Sequence, residues 1–332
     1  MERIKWIDSL KGFAIILMVI GHYQDTPHLL NVWIYSFHMP LFFFLSGYLT
    51  EHIKKKYIQK KFKTLMIPYF SFGLLMLCVD YFLKQEIDIY KEFLNIIYYI
   101  WRPAMWFFWI LFACCAMFYY CNKLSIKLKC FIVILCYTIS VLTSKFNMNL
   151  PFRIEIFFSA FSFFLLGDIL RSRIKQLFLI NKKEQWFICS IFFAIFTVIA
   201  LQFPRIDLLL NELHPLYGIV SIISIISFIL LFQSINQSIN QSILKNSKSN
   251  NIGFRILQYC SLNAIVILIF HSKVFYLCDI LYSHIHLNNM IIKAICTILI
   301  EVCILVPLIH IFNNYLYCFL GKTKRSHQTF TN

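Results

Sequence analysis

Apolar residues come in long runs separated by short charged or turn-forming stretches. Ten runs, at 8–24, 31–50, 64–83, 104–120, 130–144, 154–170, 186–203, 216–234, 258–281 and 291–312, approach the roughly 20 residues a helix needs to cross a bilayer. The first run is unusual. Within WIDSLKGFAIILMVIGH it holds Asp8, Lys11 and His22, groups that hydrocarbon rejects. At about 3.6 residues per turn, Asp8, Lys11, Ile15, Met18 and His22 fall on one stripe of a helix. Lys11 and His22 are then separated by about 16 Å of rise, with the ammonium near one membrane boundary and the imidazole toward the other.

Composition agrees with this pattern. With 60% hydrophobic and 14% charged residues, no single soluble core could hide the apolar surface, so the predicted fold is all-α and polytopic. A net charge of +16 would suggest nucleic acid in a soluble protein, but here the basic residues cluster in short loops, where they set topology. Nucleic-acid binding is therefore not expected. If Met1 is cytoplasmic, inward segments carry 22 Lys and Arg, outward segments six (Lys84, Lys91, Arg102, Lys145, Arg153 and Arg205), and Lys11, Lys273 and Lys293 lie in or beside spans. That asymmetry predicts about ten transmembrane helices with both termini inside.

Residues 1–320 are read as one membrane-embedded domain and 321–332 as a polar cytoplasmic tail. The longest connections are 84–103 outside and 235–257 inside; the latter contains QSINQSINQS, whose polarity predicts a mobile connector. No cleavable signal peptide is evident. Of the twelve cysteines most fall inside spans, with no C-x-x-C pair and no zinc-like histidine spacing. They are read as packing residues, with no metal and no tightly bound cofactor expected.

Two further intramembrane imidazoles stand out. His38, second in FHMPLFFFLSGY, falls in the outer half of the second span, with Pro40 expected to loosen the backbone ladder, and His271 falls beyond the middle of the ninth span, again toward the outside. Three histidines from three spans could surround one cavity. Lys11 either attracts an anionic ligand or snorkels to lipid phosphates, and His22 either acts as a base or packs at an interface. Asp8 orients or neutralises Lys11, with a structural ion pair favoured. Tyr69 and Pro68 shape the entry of the third span. Trp106 and Trp109 are either interfacial anchors or a stacking surface for a sugar ring, Arg102 could bind an acidic glycan or lipid headgroup, and Ser46 and Gly47 are small residues for close helix packing.

WIDSLKGFAIILMVIGH, FHMPLFFFLSGY, KKFKTLMIPYF, AMWFFWILF, FFLLGDIL and SLNAIVILIFHS, in this order over roughly residues 4–312, resemble the acyltransferase-3 family of integral membrane acyltransferases, especially its fucose 4-O-acetylase-like branch. The resemblance implies transfer of an acyl group, most often acetyl, from cytoplasmic acyl-CoA as co-substrate to a hydroxyl of a cell-surface polysaccharide or its lipid-linked precursor, in a bacterial cytoplasmic membrane. The family's basic-x10-His pattern falls on Lys11 and His22. Many members carry Arg at the first position, so the lysine keeps phosphate attraction without a planar fork.

Attack on a thioester needs a base to take the sugar hydroxyl's proton, a role suited to a neutral imidazole, and His22 is the candidate; as a runner-up it could carry the acyl group covalently. Lys11 is the acyl-CoA-binding candidate. His38, His271 and Asp8 are candidates for catalytic support, and Tyr69, Arg102 and Trp106 for acceptor binding, with His38, Tyr69 or Trp106 as oxyanion donors. A transporter of a glycan or lipid-linked sugar could line its path with the same residues, but no internal repeat between residues 1–166 and 167–332 supports it. A sensor or assembly partner without turnover is the third reading.

Overall fold

The computed structural model describes residues 4–51, 53, 55–82, 88–94, 96, 105–245, 251–287 and 289–322. Helix makes up 82% of the described residues, and no strand occurs among them. The helices are α1 (Lys5–His22), α2 (His28–Tyr35), α3 (His38–Leu49), α4 (Tyr57–Lys61), α5 (Ile67–Phe82), α6 (Ile89–Leu94) and α7 (Met105–Cys121). They continue as α8 (Ile126–Lys145), α9 (Ile154–Leu177), α10 (Lys182–Ala200), α11 (Tyr217–Lys245), α12 (Ile252–Leu262), α13 (Ala264–His284) and α14 (Met290–Asn314).

Seven helical stretches are long and apolar enough to cross a membrane: His28–Leu49, Tyr57–Phe82, Ile126–Lys145, Lys182–Ala200, Tyr217–Asn240, Ala264–His284 and Met290–Asn314. The other three predicted spans are also helical but carry weaker credentials. α1 contains Lys5, Asp8 and Lys11, α7 has 17 residues, and α9 contains Glu155, Asp168 and Arg171.

Several expectations change. The second span is broken at Ser36 and Phe37, where Phe37 adopts φ −145°, ψ −23°. Pro40 favours a break here, because it has no N–H to give the Ser36 carbonyl four residues earlier, and it sits instead in the first turn of α3, where that N–H is not needed. The ninth span is broken at Asn263, so the apolar helix runs Ala264–His284 rather than over 258–281. His271 consequently lies nearer the Ala264 end of α13, not past its middle toward the far end. QSINQSINQS is not a mobile loop either, since α11 continues through it to Lys245. Its isoleucines recur every fourth residue, a helical spacing, and Ser234 donates to Gln185 Oε1 of α10 at 3.1 Å.

The chain forms two compact units, each discontinuous in sequence. The first, residues 1–52, 124–148 and 158–264, is organised around α1, which packs against α2, α3, α11 and α12. Leu10, Ala14, Leu17 and Gly21 of α1 are buried at i, i+4, i+7 and i+11, the spacing of one helix face. An aromatic cluster supports this face, with Phe37 and Phe228 rings 4.6 Å apart and Phe13 lying 5.5 Å from Phe228. Backbones approach closely where glycines allow it. A Cβ on Gly12 would sit 1.7 Å from the Leu257 carbonyl oxygen, and one on Gly47 would sit 1.8 Å from that of Phe164.

In the second unit, residues 53–123, 149–157 and 265–332, Phe72 of α5 packs on Phe312 of α14 at 4.9 Å. Asp80 of α5 forms an ion pair with Lys273 of α13. Charges in apolar helices need such partners.

Replacing Gly12 by Ala is expected to lower the thermal unfolding temperature of the purified protein, since overpacking of this kind costs about 1–3 kcal/mol. Gly253→Ala serves as the control. A Cβ there meets only Asn251 Oδ1 at 3.5 Å, so its midpoint should stay close to wild type.

Candidate active site

The chemistry-bearing residues of the first unit gather where α1 ends. His22 closes α1 and donates from Nδ1 to the Met18 carbonyl at 2.7 Å. A carbonyl can only accept, so Nδ1 carries the proton and Nε2 carries the lone pair. As a residue His22 is exposed, while Ile15 and Met18 of the same stripe are buried. At the other end of the stripe Asp8 and Lys11 are half-buried. The expected ion pair between them does not form among the described residues. α1 is continuous from Lys5 to His22, so the rise of about 16 Å between Lys11 and His22 stands.

α2 supplies the next part. Asn31 donates through Nδ2 to the Gly21 carbonyl at 2.7 Å, anchoring the end of α1, and its buried Oδ1 has no hydrogen-bond partner among the described residues. Tyr35 places its ring 6.0 Å from the His22 ring and 4.9 Å from that of His38. Tyr35 ends α2 and His38 begins α3, and the break between them keeps these residues, three apart, on one side of the chain. It also leaves carbonyls without helical donors. Tyr217 Oη donates to the Tyr35 carbonyl at 3.2 Å and Ser221 Oγ to the Ser36 carbonyl at 2.7 Å, both from α11.

His38 is 2% exposed and donates from Nδ1 to the Ile34 carbonyl at 3.0 Å. In this tautomer neutral His38 presents a lone pair at Nε2, not a proton, so only its imidazolium could serve an oxyanion there. His271, also 2% exposed, bonds the Ile267 carbonyl from Nδ1 at 3.1 Å and belongs to the second unit. In that unit Tyr69 is buried and donates its hydroxyl to the Ile96 carbonyl, a structural use. Trp106 is buried as well, which suits neither an exposed anchor nor an open stacking surface. Arg102 lies outside the described residues.

Two charged residues missing from the sequence-based candidates join His22 and Tyr35. Arg205, from the segment between α10 and α11, stacks its guanidinium 4.0 Å from the Tyr35 ring centroid and pairs with Asp207 at 3.0 Å. The run FPRID sits in a loop that hydropathy marks only as an outward connection, so the tertiary contact was not readable from it.

The family model described as an acyltransferase domain, acyltransferase-3, matches residues 4–310, nearly the whole chain. The chain belongs to this acyltransferase family. No curated protein and no solved structure matches it.

Within the acyltransferase, FFLLGDIL also acquires a physical role. Gly167 lets α9 approach α3, where a Cβ would sit 2.1 Å from the Phe44 carbonyl oxygen. Asp168 accepts from Lys129 at 2.6 Å and Arg171 at 2.9 Å. Arg171 in turn donates to the carbonyls of Gly47, Tyr48 and Thr50 at 2.8, 2.7 and 2.6 Å, closing the end of α3. These ion pairs line a cleft of about 320 Å³ with Glu51 and Lys175. No group of three or more His, Cys, Asp or Glu side chains able to hold a metal ion occurs among the described residues.

Combining Tyr217→Phe with Ser221→Ala should lower both stability and acyl transfer. Each bond is worth about 1 kcal/mol net, and a buried carbonyl left unpaired costs about 1–3 kcal/mol. Thermal unfolding and turnover of the double variant against each single one check this expectation.

Proposed function

We propose that this acyltransferase moves an acyl group, acetyl in the first instance, from cytoplasmic acyl-CoA to a sugar hydroxyl of a cell-surface polysaccharide or its lipid-linked precursor. The observation that carries the reading is the His22 geometry. Its Nδ1–H is held by the Met18 carbonyl at 2.7 Å, which makes Nε2 the acceptor of the neutral ring at the end of α1, as a general base requires. In the step proposed, Nε2 takes the proton of the sugar hydroxyl as its oxygen attacks the thioester carbonyl. Collapse of the tetrahedral species breaks the C–S bond, and the proton passes from His22 to the departing CoA thiolate.

Lys11 shares the His22 stripe about 16 Å away, a separation that suits an extended pantetheine arm with its phosphates at the lysine and its thioester at the imidazole. In this reading the chain has ten spans, both termini in the cytoplasm and a bacterial cytoplasmic membrane as its location, supported by the 22-to-6 division of Lys and Arg across the loops. The fucose 4-O-acetylase-like branch is the proposed position within the family. Two broken helices, at Ser36–Phe37 and at Asn263, invite comparison with transporters. They do not occupy corresponding positions in two halves of the chain, and family membership favours transfer over transport.

His22→Ala is expected to lower transfer of radiolabelled acetyl from acetyl-CoA to sugar by at least about 100-fold, the scale of lost general-base catalysis, with thermal unfolding little changed. Wild-type turnover in this variant would overturn the assignment.

Lys11→Ala should weaken acetyl-CoA binding by about tenfold or more and blunt its salt dependence, whereas Lys11→Arg should retain much of the affinity. Titration of the purified variants at low and high salt measures both effects.

A further inference from the structure

Arg205 is held from two sides. Its guanidinium carbon lies 4.0 Å from the centroid of the Tyr35 ring, and one terminal nitrogen bonds Asp207 Oδ2 at 3.0 Å. The other carboxylate oxygen of Asp207 accepts the Leu209 backbone N–H at 2.9 Å. The pair is asymmetric in access. The Arg205 side chain is 43% exposed and that of Asp207 16%, so the carboxylate is recessed and the cation leads. A guanidinium has more N–H donors than Asp207 engages, and stacking on a buried tyrosine restricts its orientation before any ligand arrives.

The same tyrosine ring lies 6.0 Å from the imidazole of His22. Tyr35 is therefore a shared wall, with the base on one side and the cation on another. Its position is fixed from behind, because Tyr217 holds the Tyr35 carbonyl. A neutral sugar hydroxyl would use one donor at a time. Paired anionic oxygens match the planar fork with two parallel bonds.

We infer that Arg205 is an anion-recognition subsite for an acidic group on the acceptor, a carboxylate or a phosphate, placed beside the hydroxyl that His22 deprotonates. This rests on the proposed acyl transfer to a sugar and adds the class of sugar: an acidic one, either a uronic acid or a sugar phosphate. Arg205 selects and positions the acceptor, and His22 performs the proton transfer.

Direct binding tests the subsite apart from catalysis. The full-length protein in detergent is titrated calorimetrically with methyl glucuronide, N-acetylglucosamine 1-phosphate and methyl glucoside, as wild type, Arg205→Gln, Arg205→Lys and His22→Ala. At least one acidic probe should bind wild type about tenfold more tightly than the neutral one, the scale of one charge-assisted contact. Whichever acidic probe binds better identifies carboxylate or phosphate as the group recognised. Arg205→Gln should erase that preference, Arg205→Lys should retain part of it, and His22→Ala should leave it in place. Thermal unfolding verifies that each variant is folded. If Arg205→Gln does not fold, Arg205→Lys decides the matter, since loss of the planar fork should still weaken the acidic probe.

An equal affinity of wild type for acidic and neutral probes, no binding of any probe, or a preference that survives substitution of Arg205 overturns the subsite. Acyl transfer measured on the same samples separates the two ideas. A preference that depends on Arg205, without acetyl transfer to any sugar, supports the subsite and sinks the proposed function. Transfer abolished by His22→Ala, with no Arg205-dependent preference, does the reverse.

Discussion

A helix broken inside an apolar core exposes carbonyls that must find donors, because water is not there to supply them. The first unit meets this demand at the Ser36–Phe37 break with two hydroxyls from α11, Tyr217 on the Tyr35 carbonyl and Ser221 on that of Ser36. Tyr35, the last residue of α2, and His38, the first of α3, flank the break and meet at ring centroids 4.9 Å apart, with the Tyr35 ring 6.0 Å from that of His22.

The same accounting recurs at other ends in this unit. Arg171 gathers three carbonyls at the close of α3 and is itself steered by Asp168. Gln185 Nε2 donates to the carbonyls of Leu177, Phe178 and Ile180 after α9. Asn31 holds the Gly21 carbonyl where α1 stops. Polar side chains in a hydrophobic protein are thus placed largely by backbone need.

The histidines at 22, 38 and 271 obey a common local rule. Each donates from Nδ1 to the carbonyl four residues earlier, Met18, Ile34 or Ile267, so each neutral ring offers Nε2 as an acceptor. What separates them is surroundings. His22 is exposed at the end of α1, while His38 and His271 are buried within their helices. A histidine at an exposed helix end suits a base, and one buried within its helix suits packing or the support of a neighbour.

Much of this protein was legible from the order of its residues. Hydropathy located helices across all ten apolar runs, and the periodicity of α1 placed Lys11 and His22 on one stripe at a separation set by helix rise. Those are local properties, fixed by spacing along one helix. The family relationship was legible for a related reason, since its motifs lie within single helices or their edges. Helix breaks were legible only in part: Pro40 cannot bond the Ser36 carbonyl and marks the first break, but nothing in SLNAI marks the second, and the donors that satisfy the first, Tyr217 and Ser221, lie more than 180 residues away. For the same reason Arg205 and Asp207 were invisible as site residues. Their loop carries no periodicity, and only the tertiary structure, by setting Tyr35 beneath the guanidinium, brings a cation from after α10 to a base at the end of α1.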